Sequence, residues 1–194
     1  MRLFVALDID DAIRSRITRF RNGVREFAPD ARWMQPESLH VTLKFIGEQS
    51  EDKLGNIRRA LETVRANMFE INIRGYGFFP GSHKPRLFWI GIEAGAELAL
   101  LASTIDEKLA ALGIPKEEHA FNPHLTLARG GRSGSPHKQT SDGANRNFKR
   151  LQEKLVAWPA PEFGTMTARE FFLYESQLAP GGSKYSQLAG FALH

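Results

Sequence analysis

The sequence predicts an α+β fold built from two consecutive copies of one β-α-β-α-β unit. Three observations carry that prediction. The phrase "LHVTLKF" at residues 39–45 returns as "PHLTLAR" at 123–129. The order of apolar patterns around each phrase is the same. Sliding the sequence by 84 positions (124 − 40) brings Arg2 onto Arg86, Leu3 onto Leu87, Phe4 onto Phe88, His40 onto His124, Thr42 onto Thr126, Leu43 onto Leu127 and Gly47 onto Gly131. Motifs at equal positions within two copies of a supersecondary unit mark an internal duplication rather than a chance four-letter match.

The elements follow in order. "RLFVALDI" has strand composition, and Ile13, Ile17, Phe20, Val24 and Phe27 recur at steps of 4, 3, 4 and 3, one stripe of a helix. Pro29 and Pro36 bracket a loop carrying Trp33, after which "HVTLKFI" alternates as a strand and ends at Gly47. Ser50 offers a helix cap ahead of the stripe Leu54, Ile57, Leu61 and Val64, and "FEINIRGYGFF" closes the unit as a strand. The second half repeats this with "PRLFWIGIE", a helix over 98–112, "HLTLA", a helix over 148–156, and "FGTMTAREFFLYES" as a single strand. A final strand, "YSQLAGFAL", is extra. The expected organisation is one domain over 1–194, with lobe-forming unit one at 1–80, unit two at 85–178, and the added strand at 183–194.

Composition limits the function classes. With 194 residues, 42% hydrophobic and 25% charged, the chain can bury one sizeable core and is not disordered or fibrous. It has no cysteine, which excludes a disulfide framework, a thiolate zinc site and a cysteine nucleophile, and which suits the cytoplasm as its expected location. No apolar run approaches the roughly 18 residues of a spanning helix, and the apolar start is too short for a signal peptide, so no membrane partner is expected. A net charge of +4 does not by itself imply nucleic-acid binding. Arg14, Arg16, Arg19, Arg21 and Arg25 crowd the first helix, and Arg129, Arg132, Lys138, Arg146, Lys149 and Arg150 a later segment. Each cluster reads as a solvated face, with a phosphate-attracting rim as the alternative. "GGRSGSPHKQTSDGANR" reads as a mobile loop at a cleft edge, without a GxxxxGK[ST] or strand-linked GxGxxG phosphate loop.

The repeated His-x-Thr phrase carries the chemistry. Alternate residues of a strand share a face, so His40 and Thr42 point one way while Val41 and Leu43 point into a core, and His124 and Thr126 are set the same way against Leu125 and Leu127. If a pseudo-two-fold axis relates the units, the cleft between them receives two imidazoles and two hydroxyls. That array suits a phosphodiester. One neutral imidazole can take a proton from the attacking hydroxyl while the other, protonated, gives one to the departing oxygen. An ordinary histidine pKa of about 6.5 allows both forms near neutrality. The threonine hydroxyls can donate to non-bridging oxygens as charge accumulates there. A metal phosphoesterase is disfavoured because the strand faces carry no nearby carboxylate and the spacing is neither HExxH nor HxH, and a serine hydrolase because GxSxG is missing.

Other residues are candidates of a lower order. Arg129 follows the second motif and is a phosphate-binding candidate, although its parity is that of Leu125 and Leu127, so it reaches the cleft only if the strand ends or twists. Lys44 shares the parity of His40 and could touch phosphate, against the alternative of a solvated strand lysine. Trp33, Phe79, Phe121 and Tyr174 could stack a base, with core packing as the alternative. His83, His119, His137 and His194 have no duplicated partner and are expected to be bystanders.

The two motifs, the run "RWMQPESLHVTLKFIGE", "PRLFWIGI", "FNPHLTLAR" and the closing "LYESQLAPGGSKYSQLAGFAL" together resemble the RNA 2',3'-cyclic phosphodiesterases, also called 2'-5' RNA ligases, of the 2H phosphoesterase superfamily. The likeness covers nearly the whole chain. It implies a bilobal fold whose pseudo-two-fold related units present mainly antiparallel sheets to a central cleft. It also implies metal-independent opening of RNA 2',3'-cyclic phosphate ends to 2'-phosphates without a cofactor, and reversible 2'-5' joining of tRNA halves. His40 and His124 match the catalytic positions, and Thr42 and Thr126 the phosphate-binding ones. A monomer is expected. Two alternatives stay open at this stage: a cyclic phosphodiesterase of small nucleotides, such as an ADP-ribose cyclic phosphate or a 2'-5' oligonucleotide, and a non-catalytic module that grips RNA ends.

Overall fold

The computed structural model describes residues 1–130, 142–180 and 182–194, with residues 142–147 described by backbone alone. The order is β1 (Arg2–Leu7), α1 (Asp11–Val24), β2 (Arg32–Trp33), β3 (Val41–Glu48), α2 (Glu51–Glu62), β4 (Phe69–Phe79), β5 (Leu87–Ala94), α3 (Ala96–Ala110), β6 (His124–Arg129), α4 (Asp142–Val156), β7 (Glu162–Ala168), β8 (Glu170–Ala179) and β9 (Gly182–Ala192). The strands form a four-stranded sheet, β3-β1-β8-β9, and a five-stranded sheet, β2-β6-β5-β4-β7. Every pairing is antiparallel. The fold is therefore α+β, as the repeat predicts.

The two sheets match strand for strand when β3, β1, β8 and β9 are set against β6, β5, β4 and β7. Strand β2 has no counterpart. The sheets do not follow the halves of the chain, however. Strand β4, the last strand of the first repeat, pairs with β5 of the second, and β8, from the second repeat, pairs with β1. Each repeat thus completes the other's sheet.

Helices cover the outer face of each sheet. Phe20 of α1 lies 6.5 Å from Phe88 and 5.4 Å from Phe163, and Phe148 of α4 lies 6.5 Å from Phe88, so these helices pack on the five-stranded sheet. On the other sheet, the Arg58 guanidinium of α2 donates to the Leu188 carbonyl of β9 at 2.9 Å, and Asp106 of α3 pairs with Lys44 of β3. Leu3, Val5 and Leu7 on one sheet and Phe88 and Ile90 on the other are nearly solvent-free and belong to one apolar core. Burying each such side chain stabilises the fold by about 1.5–3 kcal/mol. The opposite faces of the sheets are left to form the cleft.

Several local expectations are corrected. "FGTMTAREFFLYES" is two strands: the chain leaves β7 in one sheet, passes Arg169, and enters β8 in the other. The loop expected around Trp33 contains the short strand β2, in which the indole N–H donates to the Ala28 carbonyl at 2.9 Å and the ring meets Phe88 edge-on, so Trp33 is a core residue. Ser50 takes the N-cap position of α2, but its hydroxyl does not bond the helix amides. The arginines of α1 are not a uniform solvated face. Arg16 donates to the Phe163 carbonyl at 2.8 Å, Arg21 is buried, and Arg14 bonds the loop ahead of β3. The loop predicted over 130–146 is cut short, because α4 already begins at Asp142; residues 131–141, with Arg132, His137 and Lys138, lie outside the described residues, as does the side chain of Arg146.

Candidate active site

Backbone pairing decides which side chains reach the cleft. In the first copy, Ala6 pairs with Thr42 but Val5 pairs with Lys44, so Leu43 is an extra residue in β3. In the second, Trp89 pairs with Thr126 but Phe88 pairs with Ala128, so Leu127 is the extra residue in β6. These are β-bulges at the same position of both repeats. An extra residue inverts the alternation beyond it. Up to the threonine the simple parity holds; past it the faces exchange.

The consequence corrects the reading of Lys44. Its side chain turns to the core, is 2% exposed, and pairs with Asp106 at 2.7 Å and Glu117 at 3.4 Å while donating to the Pro115 carbonyl at 2.7 Å. It touches no cleft. Phe45, 58% exposed, takes the cleft-side place instead. In the second copy the equivalent inversion buries Ala128 and brings Arg129 to the face of His124 and Thr126. Strand parity alone would have placed Arg129 on the wrong side, and the bulge is what turns it.

The two imidazoles are held alike. His40 Nδ1 lies 2.7 Å from the Ser38 carbonyl, and His124 Nδ1 lies 2.9 Å from the Asn122 carbonyl, each two residues upstream. A carbonyl only accepts, so each ring carries its proton on Nδ1 when neutral and leaves Nε2 as the free nitrogen. Among the described residues no group bonds either Nε2, and none bonds the Thr42 or Thr126 hydroxyl.

Their surroundings differ. His40 sits 4.8 Å from the Phe4 ring, meets Tyr185 edge-on at 5.2 Å and stacks on Tyr174 at 6.3 Å. It opens on a cavity of about 220 Å³ lined also by Asp8, Arg14 and Gln187. Removal of water from the ring lowers the His40 pKa from its ordinary 6.5 to about 4. The Ser38 carbonyl and Asp8 oppose that shift, and Arg129 and Arg14 add to it. His124 has Trp89 as its aromatic neighbour, at 6.3 Å. Desolvation also lowers the pKa of Arg129, with Arg32 and Arg2 acting in the same direction and Tyr185 opposing them. Strand β3 lies against β6, so the two motif-bearing sheets approach one another here. A larger cavity, about 490 Å³, begins at Asp8 and runs along Thr165–Glu170, with no histidine on its walls. Of the residues in the two motifs, the smaller cavity has only His40 on its walls.

Among the stacking candidates, Tyr174 packs on Phe4 at 5.2 Å, and burial raises its phenol pKa to about 12. Phe121 packs against the core and Phe79 is 60% exposed. His83, His119 and His194 are exposed. Tyr185 and Phe45 escaped sequence reading: Tyr185 lies on β9, outside the repeat, and Phe45 had the wrong parity until the bulge was seen. Among the described residues, no three His, Asp or Glu side chains cluster as a metal site, and no helix is long and apolar enough to cross a membrane.

A model of LigT-like phosphoesterases matches the chain twice, over residues 7–89 and 90–185. The chain belongs to the LigT-like phosphoesterase family. This LigT-like chain is 34% identical over 191 residues to an RNA 2',3'-cyclic phosphodiesterase of Archaeoglobus fulgidus, covering 98% of this chain and 99% of that one. It is 36% identical over 174 residues to the protein of that name from Aeropyrum pernix, covering 89% and 92% of the two chains. The crystal structure of E. coli LigT complexed with 3'-AMP superposes with a TM-score of 0.77 at 27% identity, covering 99% of this chain and 97% of that one.

Proposed function

We propose that this LigT-like phosphoesterase opens RNA 2',3'-cyclic phosphate ends to 2'-phosphates without a metal, using His40 and His124 as general acid and base. The observation that carries this reading is the matched Nδ1–carbonyl bond on both rings, which presents two Nε2 atoms for proton transfer. Water attacks phosphorus and gives its proton to one imidazole. The bond from phosphorus to the 3'-oxygen breaks, and the other imidazole protonates that oxygen, leaving a 3'-hydroxyl and a 2'-phosphate. Thr42 and Thr126 donate to the non-bridging oxygens, and Arg129 supplies positive charge nearby. With the 5'-hydroxyl of a second RNA in place of water, the same displacement forms a 2'-5' linkage. The names of the relatives support RNA ends as the substrate.

The deciding experiment incubates the protein with an oligoribonucleotide ending in 2',3'-cyclic phosphate in the presence of a chelator. A 2'-phosphate product is expected, with H40A and H124A each slowed by about 10² to 10⁴. A 3'-phosphate product, or dependence on added metal, would overturn the proposal. A variant lacking the acid regains rate on a substrate with an activated leaving group, whereas one lacking the base does not, so the same pair of variants assigns the two roles. As part of this reading the protein acts as a cytoplasmic monomer on ends that include tRNA halves; the absence of cysteine and the family likeness support it, and light scattering checks the oligomeric state.

A further inference from the structure

Beyond the bulge at Leu127, one row of residues crosses the cleft face of the five-stranded sheet. Arg129 of β6 pairs directly with Arg32 of β2 on one side and with Leu87 of β5 on the other, and Leu87 in turn pairs with Phe79 of β4. Their neighbours Trp33, Ala128, Phe88 and Phe78 form the next row and point to the core, as the burial of Ala128 and Phe88 and the contact of Trp33 with Phe88 show. The row therefore faces the cleft, and Arg32, Arg129 and Phe79 are exposed. It lies one pleat beyond Thr126, roughly 7 Å along the strand. That is comparable with the step between successive phosphates of an extended nucleic-acid strand.

Like charges directly opposite on neighbouring strands destabilise a sheet. Arg32 and Arg129 nevertheless face one another, and among the described residues neither has a carboxylate within ion-pair distance. Arg2 joins them from the opposite sheet. It shares the face of Phe4 on β1, is exposed, and its charge is felt at Arg129. Arg32 and Arg129 thus face one another with no carboxylate partner among the described residues, and Arg2, whose cross-strand partner is Glu48, stands on the facing sheet. Strand β2, which carries Arg32, is the one strand without a counterpart in the other sheet, so this concentration of charge exists on one side of the pseudo-two-fold only.

We propose that Arg32, Arg129 and Arg2 form a second phosphate subsite that holds the phosphodiester on the 5' side of the terminal nucleoside, with exposed Phe79 in the same row for the base of the preceding nucleotide. The inference rests on the reading above that a terminal cyclic phosphate occupies the two histidines. It deepens that reading: a cyclic mononucleotide lacks this phosphodiester, so the subsite makes the enzyme select polymer ends over small nucleotides. Guanidinium forks suit phosphate because they donate charge-assisted hydrogen bonds in pairs, and an exposed aromatic ring stacks any base.

The test compares adenosine 2',3'-cyclic phosphate with a dinucleotide and a hexanucleotide bearing the same cyclic end. Wild type is expected to favour the dinucleotide over the mononucleotide by roughly tenfold or more in kcat/KM, with little further gain for the hexanucleotide. R32A and R2A are expected to lose roughly tenfold on the dinucleotide and less than twofold on the mononucleotide. The dinucleotide's affinity should also show a salt slope shallower by about 0.7 for each arginine removed. Both arginines are exposed, so folding is not at risk. Equal loss on the two substrates, or no loss on either, would overturn the subsite. Should wild type turn over neither substrate, the hydrolytic reading fails. The subsite is then judged by binding of the same dinucleotide and mononucleotide: it stands if R32A weakens only the dinucleotide and falls otherwise.

Discussion

His40 lies with its ring centroid 4.8 Å from that of Phe4, tilted by 32°, and this contact sets the protonation of the site. Packing among Phe4, Tyr174 and Tyr185 holds the His40 pKa at about 4, against an ordinary 6.5 for the unfolded chain. Between those values the unfolded chain binds a proton that the folded chain refuses. Stability is therefore unaffected by this group above pH 6.5 and falls as pH drops toward 4, by on the order of 3 kcal/mol. Urea unfolding at several pH values should show that slope in wild type and a shallower one in H40N. An identical slope in both proteins would contradict the assignment.

Arg14 positions the same histidine from the wall of the cavity they share. Its guanidinium donates to the carbonyls of Pro36, Leu39 at 3.3 Å and Ile9 at 3.2 Å, and pairs with Asp8. These bonds fix the 3-10 turn Pro36–Ser38, whose Ser38 carbonyl orients the imidazole. R14A is expected to lower kcat by about 10- to 100-fold, because small displacements of a reacting group are costly, with KM changed far less. A rise in KM at constant kcat would place Arg14 in substrate binding instead.

The buried ammonium of Lys44 is the opposite case. It holds β3 to α3 through Asp106 and the Pro115 carbonyl, on the face away from the cleft. K44A leaves the Asp106 carboxylate, 17% exposed, with only the Glu117 backbone N–H as a partner and should cost about 1–3 kcal/mol of stability. Activity per folded molecule should be retained. Denaturant unfolding beside active-site titration separates the two effects, and a stable but inactive K44A would restore the phosphate role that parity suggested.

Gly77 makes room for Trp89. A methyl group at residue 77 would sit 2.1 Å from the indole Cζ2, and the indole is the neighbour of His124 at 6.3 Å. G77A should therefore push Trp89 along the cleft, destabilising the protein by about 1–3 kcal/mol and lowering turnover. Restored activity in G77A/W89F would confirm that the indole transmits the effect. Unchanged tryptophan fluorescence in G77A would argue against it.

What the sequence determined by itself is local and periodic. The 84-residue repeat, the helical stripes and the alternation of His-x-Thr with Val-x-Leu needed no partner strand, because the period of two within a strand is a property of its own backbone. That is why His40, Thr42, His124 and Thr126 could be assigned a face before any coordinates. Tertiary structure decided whatever depends on pairing. Register across β1 and β5 places the bulges at Leu43 and Leu127, which send Lys44 inward and Arg129 outward. Pairing also splits "FGTMTAREFFLYES" between two sheets and brings Tyr185 of β9 against His40. A bulge costs one residue in one strand relative to another, so its position is written in neither strand alone; it exists only once the two are hydrogen-bonded.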